Sequence, residues 1–209
     1  MRNGQNNEIA LWEDFVAGDK NAYAAIYRTY YPLLFNYGHN FITNTALIED
    51  CIQEIFIQFW MNRTKLETVH SMRSYLFVSF RRALLKAADN GKQTGPLTEE
   101  ETGFSFSLSL DQVMIDRETI YERNINLKSA VEKLTGRQKE AVFLMYYQNM
   151  SYEEISVVLQ ISKKATYKLM ARAVSELRTF YRQAVGTLLL LLILLVSPFA
   201  VLTSGFLLF

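Results

Sequence analysis

From Glu8 to Ala88 apolar residues recur at three- and four-residue spacings, the period of amphipathic helices, with Pro32 and Gly38 inside the run. The pattern predicts one helical block. It gives way at "DNGKQTGPLTEEETGFSFSLSL", Asp89 to Leu110, where Gly and Pro, a Glu triplet and a Ser/Phe alternation too short for a sheet predict a flexible linker. Helical periodicity then resumes, with Leu127, Ala130, Val131 and Leu134 on one stripe of a helix beginning near Asp111 to Asp116. Thr135-Gly-Arg-Gln138 and Ser151-Tyr-Glu-Glu154 are capping-box patterns, and they divide 124–182 into short helices. The expected fold is all-α: two helical domains, 8–88 and 112–183, joined by a linker at 89–111 and followed by a hydrophobic helix at 184–209.

"MSYEEISVVLQISKKATYKLMARAVSELR" reads as a helix of about nine residues, a turn around Gln160 to Ser162, and a longer basic helix, which is a helix-turn-helix pattern. Ile155, Val158 and Leu159 form the inward face of the first helix, and Ser156 is small enough for the second to cross closely. Gln160 stands at the corner where Gly is common, so the turn must form without the easiest left-handed residue. From Lys163 to Arg182 six bases (Lys163, Lys164, Lys168, Arg172, Arg178, Arg182) face one acid, Glu176. They begin at the first turn after the corner, where phosphate and base contacts of a recognition helix fall, so a DNA partner is expected over a merely solvated face.

Composition narrows the chemistry. The net charge of +1 hides local asymmetry, with acids at 49–54 and 99–101 and bases at 72–92 and 163–182. His39, His70 and the single Cys51 provide no metal-ligand spacing, and no phosphate loop or nucleophile motif occurs. No enzyme activity, cofactor or metal is expected. Residues 1–15 lack the apolar core of a signal peptide, so the folded part is expected in the cytoplasm. Cys51 lies within an apolar periodic run and reads as a buried thiol.

"IEDCIQEIFIQFW", Ile48 to Trp60, sets Ile48, Ile52, Ile55, Phe56 and Phe59 on one face and Asp50, Gln53, Glu54 and Gln58 on another. Its order Asp-x-x-Gln-Glu-x-Phe-x-x-x-Trp, followed by the basic aromatic "MRSYLFVSFRRALLKAA", resembles region 2 of extracytoplasmic-function sigma factors. The C-terminal bundle, with "RAVSELR" at Arg172 to Arg178, is similar to their region 4, and "KKATYKLMARAVSELR" resembles the iron-citrate-regulator type common in the Bacteroidetes. The resemblance implies a sigma-70-family subunit that joins core RNA polymerase and directs it to promoter DNA, under a possible anti-sigma partner. It implies docking on polymerase through Asp50, Gln53, Glu54 and Gln58. It also implies −10 contacts from Arg73, Tyr75, Arg81, Arg82 and Lys86, and −35 contacts from Ser151, Tyr152, Ser162, Lys163, Lys164, Thr166, Tyr167, Lys168 and Arg172. Arg82 and Lys86 depart from the family's usual Asn and Asp, and both changes add positive charge. Cations that track phosphates beside aromatic faces suit single-strand capture. Phe77 and Phe80 at helical spacing nevertheless read as core, and Tyr75 is open between the two roles. A membrane-anchored helix-turn-helix regulator that never joins polymerase is the alternative; an acidic docking helix followed by a basic aromatic one is not what it would need.

The stretch 184–209 holds 26 residues, nineteen of them apolar and none charged. Spanning a bilayer takes about 20 mostly apolar residues, so a tail anchor is expected, with the upstream bases holding the folded part on the cytoplasmic side. A recognition helix running straight into that stretch would place Lys163 only about 30 Å from the membrane surface.

Overall fold

Among the described residues, 2–66, 71–90, 103–106 and 129–179 of a computed structural model, all regular structure is helical and no strand occurs. The first block holds α1 (Arg2–Ala17), α2 (Lys20–Gly38), α3 (Thr45–Met61) and α4 (Met72–Asn90), with a short 3-10 turn at Arg63–Lys65 after α3. The second holds the helical residues 129–132, α5 (Gly136–Tyr146), α6 (Tyr152–Val158) and α7, residues 163–179. The apolar stretch 184–209 lies outside the described residues, and among those described no helix is long and apolar enough to cross a membrane.

Each boundary has a local cause. Gly18, at φ +94°, takes the left-handed conformation that ends α1; its N–H and that of Asp19 return to the carbonyls of Phe15 and Asp14 at 2.9 Å, the double closure of a Schellman motif. Asp19 then caps α2 by accepting from the Asn21 N–H at 2.6 Å. Pro32 sits inside α2 without ending it. Asn44 caps α3, and the Ser71 hydroxyl accepts from the Ser74 N–H at the start of α4. Both expected capping boxes are present, Thr135 with Gln138 and Ser151 with Glu154.

In the first block α2 packs on α1, α3 and α4, and α3 packs on α4. Its core is aromatic: Phe15 and Phe59 stack at 4.2 Å between ring centres, with Trp12, Tyr23, Phe56 and Trp60 around them. Phe77 and Phe80 are fully buried, as their spacing predicts, and Tyr75 is half-buried against Phe59. Gly38 lets α2 approach closely, since a Cβ there would lie 2.9 Å from Ile48 and 3.0 Å from Phe80. Cys51 is buried, and desolvation followed by the charges of Glu54 and Asp50 raises its thiol pKa.

The two blocks share one core. α6 lies against α4, and the Ser/Phe stretch expected to be a flexible linker supplies part of the seam. Phe104 and Phe106 are buried, the first against Tyr37, Phe41 and Phe143, the second against Phe143 and Tyr147. The Ser105 N–H donates to the Asn40 carbonyl at 2.7 Å, which fixes this strap to the turn after α2. The alternation that is too short for a sheet is instead a pair of anchors: residues two apart on an extended segment point to the same side.

Candidate nucleic-acid interface

Asp50, Gln53, Glu54 and Gln58 are all exposed on α3, opposite the buried Ile48, Ile52, Ile55, Phe56 and Phe59. Two residues outside the expected set join them. Ile57 and Met61 are 56% and 67% exposed, and at about 100° per residue they fall inside the arc bounded by Gln53 and Gln58. The polar face therefore has an apolar centre, legible in the sequence as residues 50, 54, 57 and 61 sharing one stripe.

On α4 the expected −10 residues divide. Arg82 and Lys86 are exposed, and Tyr75 is half-buried. Arg73 and Arg81 turn into the second block. Arg81, 7% exposed, donates from Nε to Oε1 of Glu140 at 2.7 Å and from Nη2 to Oε2 at 3.2 Å. Tyr37 of α2, fully buried, donates its hydroxyl to the same Glu140 Oε1 at 2.5 Å. Burial alone would lower the Arg81 pKa, but the hydrogen bond and charge of Glu140, with Tyr37 behind them, raise it overall. Arg73 donates to the Gln148 carbonyl, while Arg73 Nε and Gln148 Oε1 are buried without hydrogen-bond partners. Glu140 was not among the expected functional residues. Its signal was its register: it stands three and four residues before Phe143 and Leu144, on the inward stripe of α5.

The second block builds the helix-turn-helix from α6 and α7. Gln160 makes the corner with φ 54°, the left-handed conformation that Gly would take most easily. Ile155, Val158 and Leu159 are buried beneath α7 with Met170 and Ala173. Arg137 donates to the Leu159 carbonyl at 3.2 Å, and Gln138 donates to Glu176 at 3.1 Å, so α5 braces both ends of the motif. Tyr152 and Tyr167 stack at 4.3 Å across the two helices.

The expected −35 residues also divide. Lys164, Tyr167, Lys168 and Arg172 line the exposed face of α7. Thr166 does not: it is fully buried and its hydroxyl donates to the Ser162 carbonyl at 3.3 Å, because its position faces α6 and not solvent. Ser151 and Ser162 are exposed, but their hydroxyl oxygens cap α6 and α7, accepting from the Glu154 and Ala165 N–H groups. Lys163 is exposed and paired with Glu153; hydrogen bonding within that pair raises the Lys163 pKa and lowers that of Glu153. Among the described residues no group of His, Cys, Asp and Glu could hold a metal ion.

Comparison with known proteins agrees with this layout. Residues 26–92 match the family model described as Sigma-70 region 2, and residues 125–177 match that described as Sigma-70, region 4. Together the matches span more than half of the chain. The fold is similar to a chain in the structure of CnrH in complex with the cytosolic domain of CnrY, with 18% identity and a TM-score of 0.55 over 83% of this chain and 96% of that one. A chain of the RsbN–BldN complex aligns over 80% of this chain and 97% of its own length at 19% identity, with a TM-score of 0.35, too loose a likeness to define a fold. No curated protein matches.

Proposed function

The chain belongs to the sigma-70 family, and from that premise we propose that it is an extracytoplasmic-function-type sigma factor whose α3 docks on core RNA polymerase. As a family member it is a transcription initiation factor and not an enzyme. In this reading residues 8–88 form the polymerase- and −10-binding region, 89–111 connect it, and 112–183 form the −35-binding region. The observation that carries it is the pair of exposed faces on a single chain: Asp50, Gln53, Glu54 and Gln58 around Ile57 and Met61 on α3, and Lys164, Tyr167, Lys168 and Arg172 on α7. A polar rim around an apolar centre suits a protein partner, whereas a cationic helix face beside an aromatic pair suits duplex DNA. Arg82 and Lys86 of α4 supply exposed cations for the −10 strand. Thr166, which is buried, has no part in −35 contact.

CnrH, the fold neighbour, was solved with the cytosolic domain of CnrY, and that likeness supports an inhibitory protein partner, an anti-sigma factor. The 26 uncharged residues of 184–209 support a membrane tether for cytoplasmic domains.

Affinity purification of the full-length protein from its own cells tests the central reading. Core RNA polymerase subunits should copurify, and Asp50→Ala with Glu54→Ala should remove them while thermal stability stays within about 0.5 kcal/mol. A preparation that never carries polymerase sinks the reading. For the tether, recovery of the whole pool in the soluble fraction without detergent would decide against insertion.

A further inference from the structure

The positive charge of α7 extends past the residues that would read bases. At about 100° per residue, Lys164, Lys168, Arg172, Ser175 and Arg178 fall within one arc of about 120°, and all of them are exposed. No acid lies inside that arc. Glu176, the single acid among residues 163–179, stands outside it and accepts a hydrogen bond from Gln138 at 3.1 Å. A recognition helix reads base edges with its N-terminal residues, whereas Arg178 is about 21 Å along the axis from Lys164. The cationic face runs the length of the helix, as contact with a flat anionic surface requires.

Position along the chain says which surface is within reach. Thr179, the last described residue of α7, stands five residues before Ala184, where the 26 uncharged residues of 184–209 begin. Five residues span at most about 18 Å in any conformation. We propose that the exposed face of α7 docks on anionic lipid headgroups at the membrane surface, in competition with duplex DNA. The proposal rests on the reading of 184–209 as a membrane tether. With α7 laid flat, Lys164, Lys168, Arg172 and Arg178 all come within the screening length of about 8 Å of the headgroups; upright, only the end nearest the tail does. Each cation held close to an anionic bilayer favours the docked form about fivefold, and bases clustered just before an apolar span are the pattern that anionic lipid attracts. The tether makes docking an intramolecular step, so modest attraction per cation is enough. DNA and lipid then take the same side chains, and the chain reads a promoter only when its own membrane does not hold α7.

The test uses the full-length chain in a Cys51→Ala background, with a dye on Ser175→Cys, inside the arc, or on the exposed Thr43→Cys of the first block. The protein is reconstituted into vesicles of phosphatidylcholine alone or of equal parts phosphatidylcholine and phosphatidylglycerol, each with a trace of headgroup spin-labelled lipid that quenches a dye at the surface. The Ser175 dye should be quenched in the mixed vesicles and not in the neutral ones, and the Thr43 dye in neither. Lys164→Gln with Lys168→Gln and Arg172→Gln should lower the docking equilibrium about a hundredfold, and an excess of duplex DNA should relieve the quenching. Equal signals from Ser175 in both vesicles, quenching that survives the triple substitution or the duplex, or quenching of Thr43 to the same degree overturns the proposal. Flotation of the vesicles reads the tether separately. Protein that floats with both compositions is inserted, so equal Ser175 signals there sink the docking and leave the tether standing. Protein that floats with the mixed vesicles alone, and no longer does so after the triple substitution, is docked through α7 without a tether. Protein that floats with neither removes tether and docking together.

Discussion

The Tyr37 hydroxyl is fully buried, and burial, followed by the charge of Glu140, raises its pKa well above the ordinary 10.0 against the lowering effect of Arg81. A raised folded-state pKa means that neutral Tyr37 contributes stability in full below about pH 10, and that this contribution is lost as pH rises toward the folded-state value. The thermal midpoint of the wild type should therefore fall as pH is raised above about 10, and that of Tyr37→Phe should fall less over the same range. Equal falls would remove Tyr37 as the cause. At Gln160, whose φ is 54°, Gly adopts the same backbone without a Cβ penalty. Gln160→Gly should stabilise the chain by up to about 1 kcal/mol, part of the gain being offset by the freer unfolded chain; a lower melting temperature would contradict this. Both capping boxes and the glycine-free corner were legible in the sequence because their partners are within a few residues. The partner of Tyr37 is 103 residues away, and no local pattern could announce it.

At the scale of elements, periodicity marked 8–88 as one helical block, gave α3 its inward face and placed Phe77 and Phe80 inside, but it left α1 and α2 undivided, since the helical period resumes almost at once after Gly18. It also located the polar face of α3 without its apolar centre, although Ile57 and Met61 fall on the same helical stripe as Asp50 and Glu54. Ile57→Glu with Met61→Glu should abolish copurification with polymerase core while leaving the melting temperature nearly unchanged, as both side chains are already in water. Unfolding of that variant would instead indicate a structural role. On α7, Lys164→Ala should weaken duplex binding and reduce the slope of log affinity against log salt by about one. Lys163→Ala should change the slope less, because Glu153 already accompanies that ammonium group. Salt titrations of the two variants compare them directly.

Across the whole molecule, the strap at 103–106 was the feature least visible beforehand. Its upstream flank, with Gly91, Gly95, Pro96 and three Glu residues, carries the marks of a connector, and only the burial of Phe104 and Phe106 shows that it belongs to the core. Phe104→Ser with Phe106→Ser should speed amide hydrogen exchange along the facing sides of α4 and α6 while preserving helical content, since each block retains its own buried residues. Loss of helical signal as well would mean that neither block is stable without the seam. Breaking the seam would uncover Phe104, Phe106, Phe143 and apolar parts of Tyr37, and so would carry a positive heat-capacity change of its own. The stability of the seam therefore curves with temperature, with an optimum from which it falls on cooling as well as on heating.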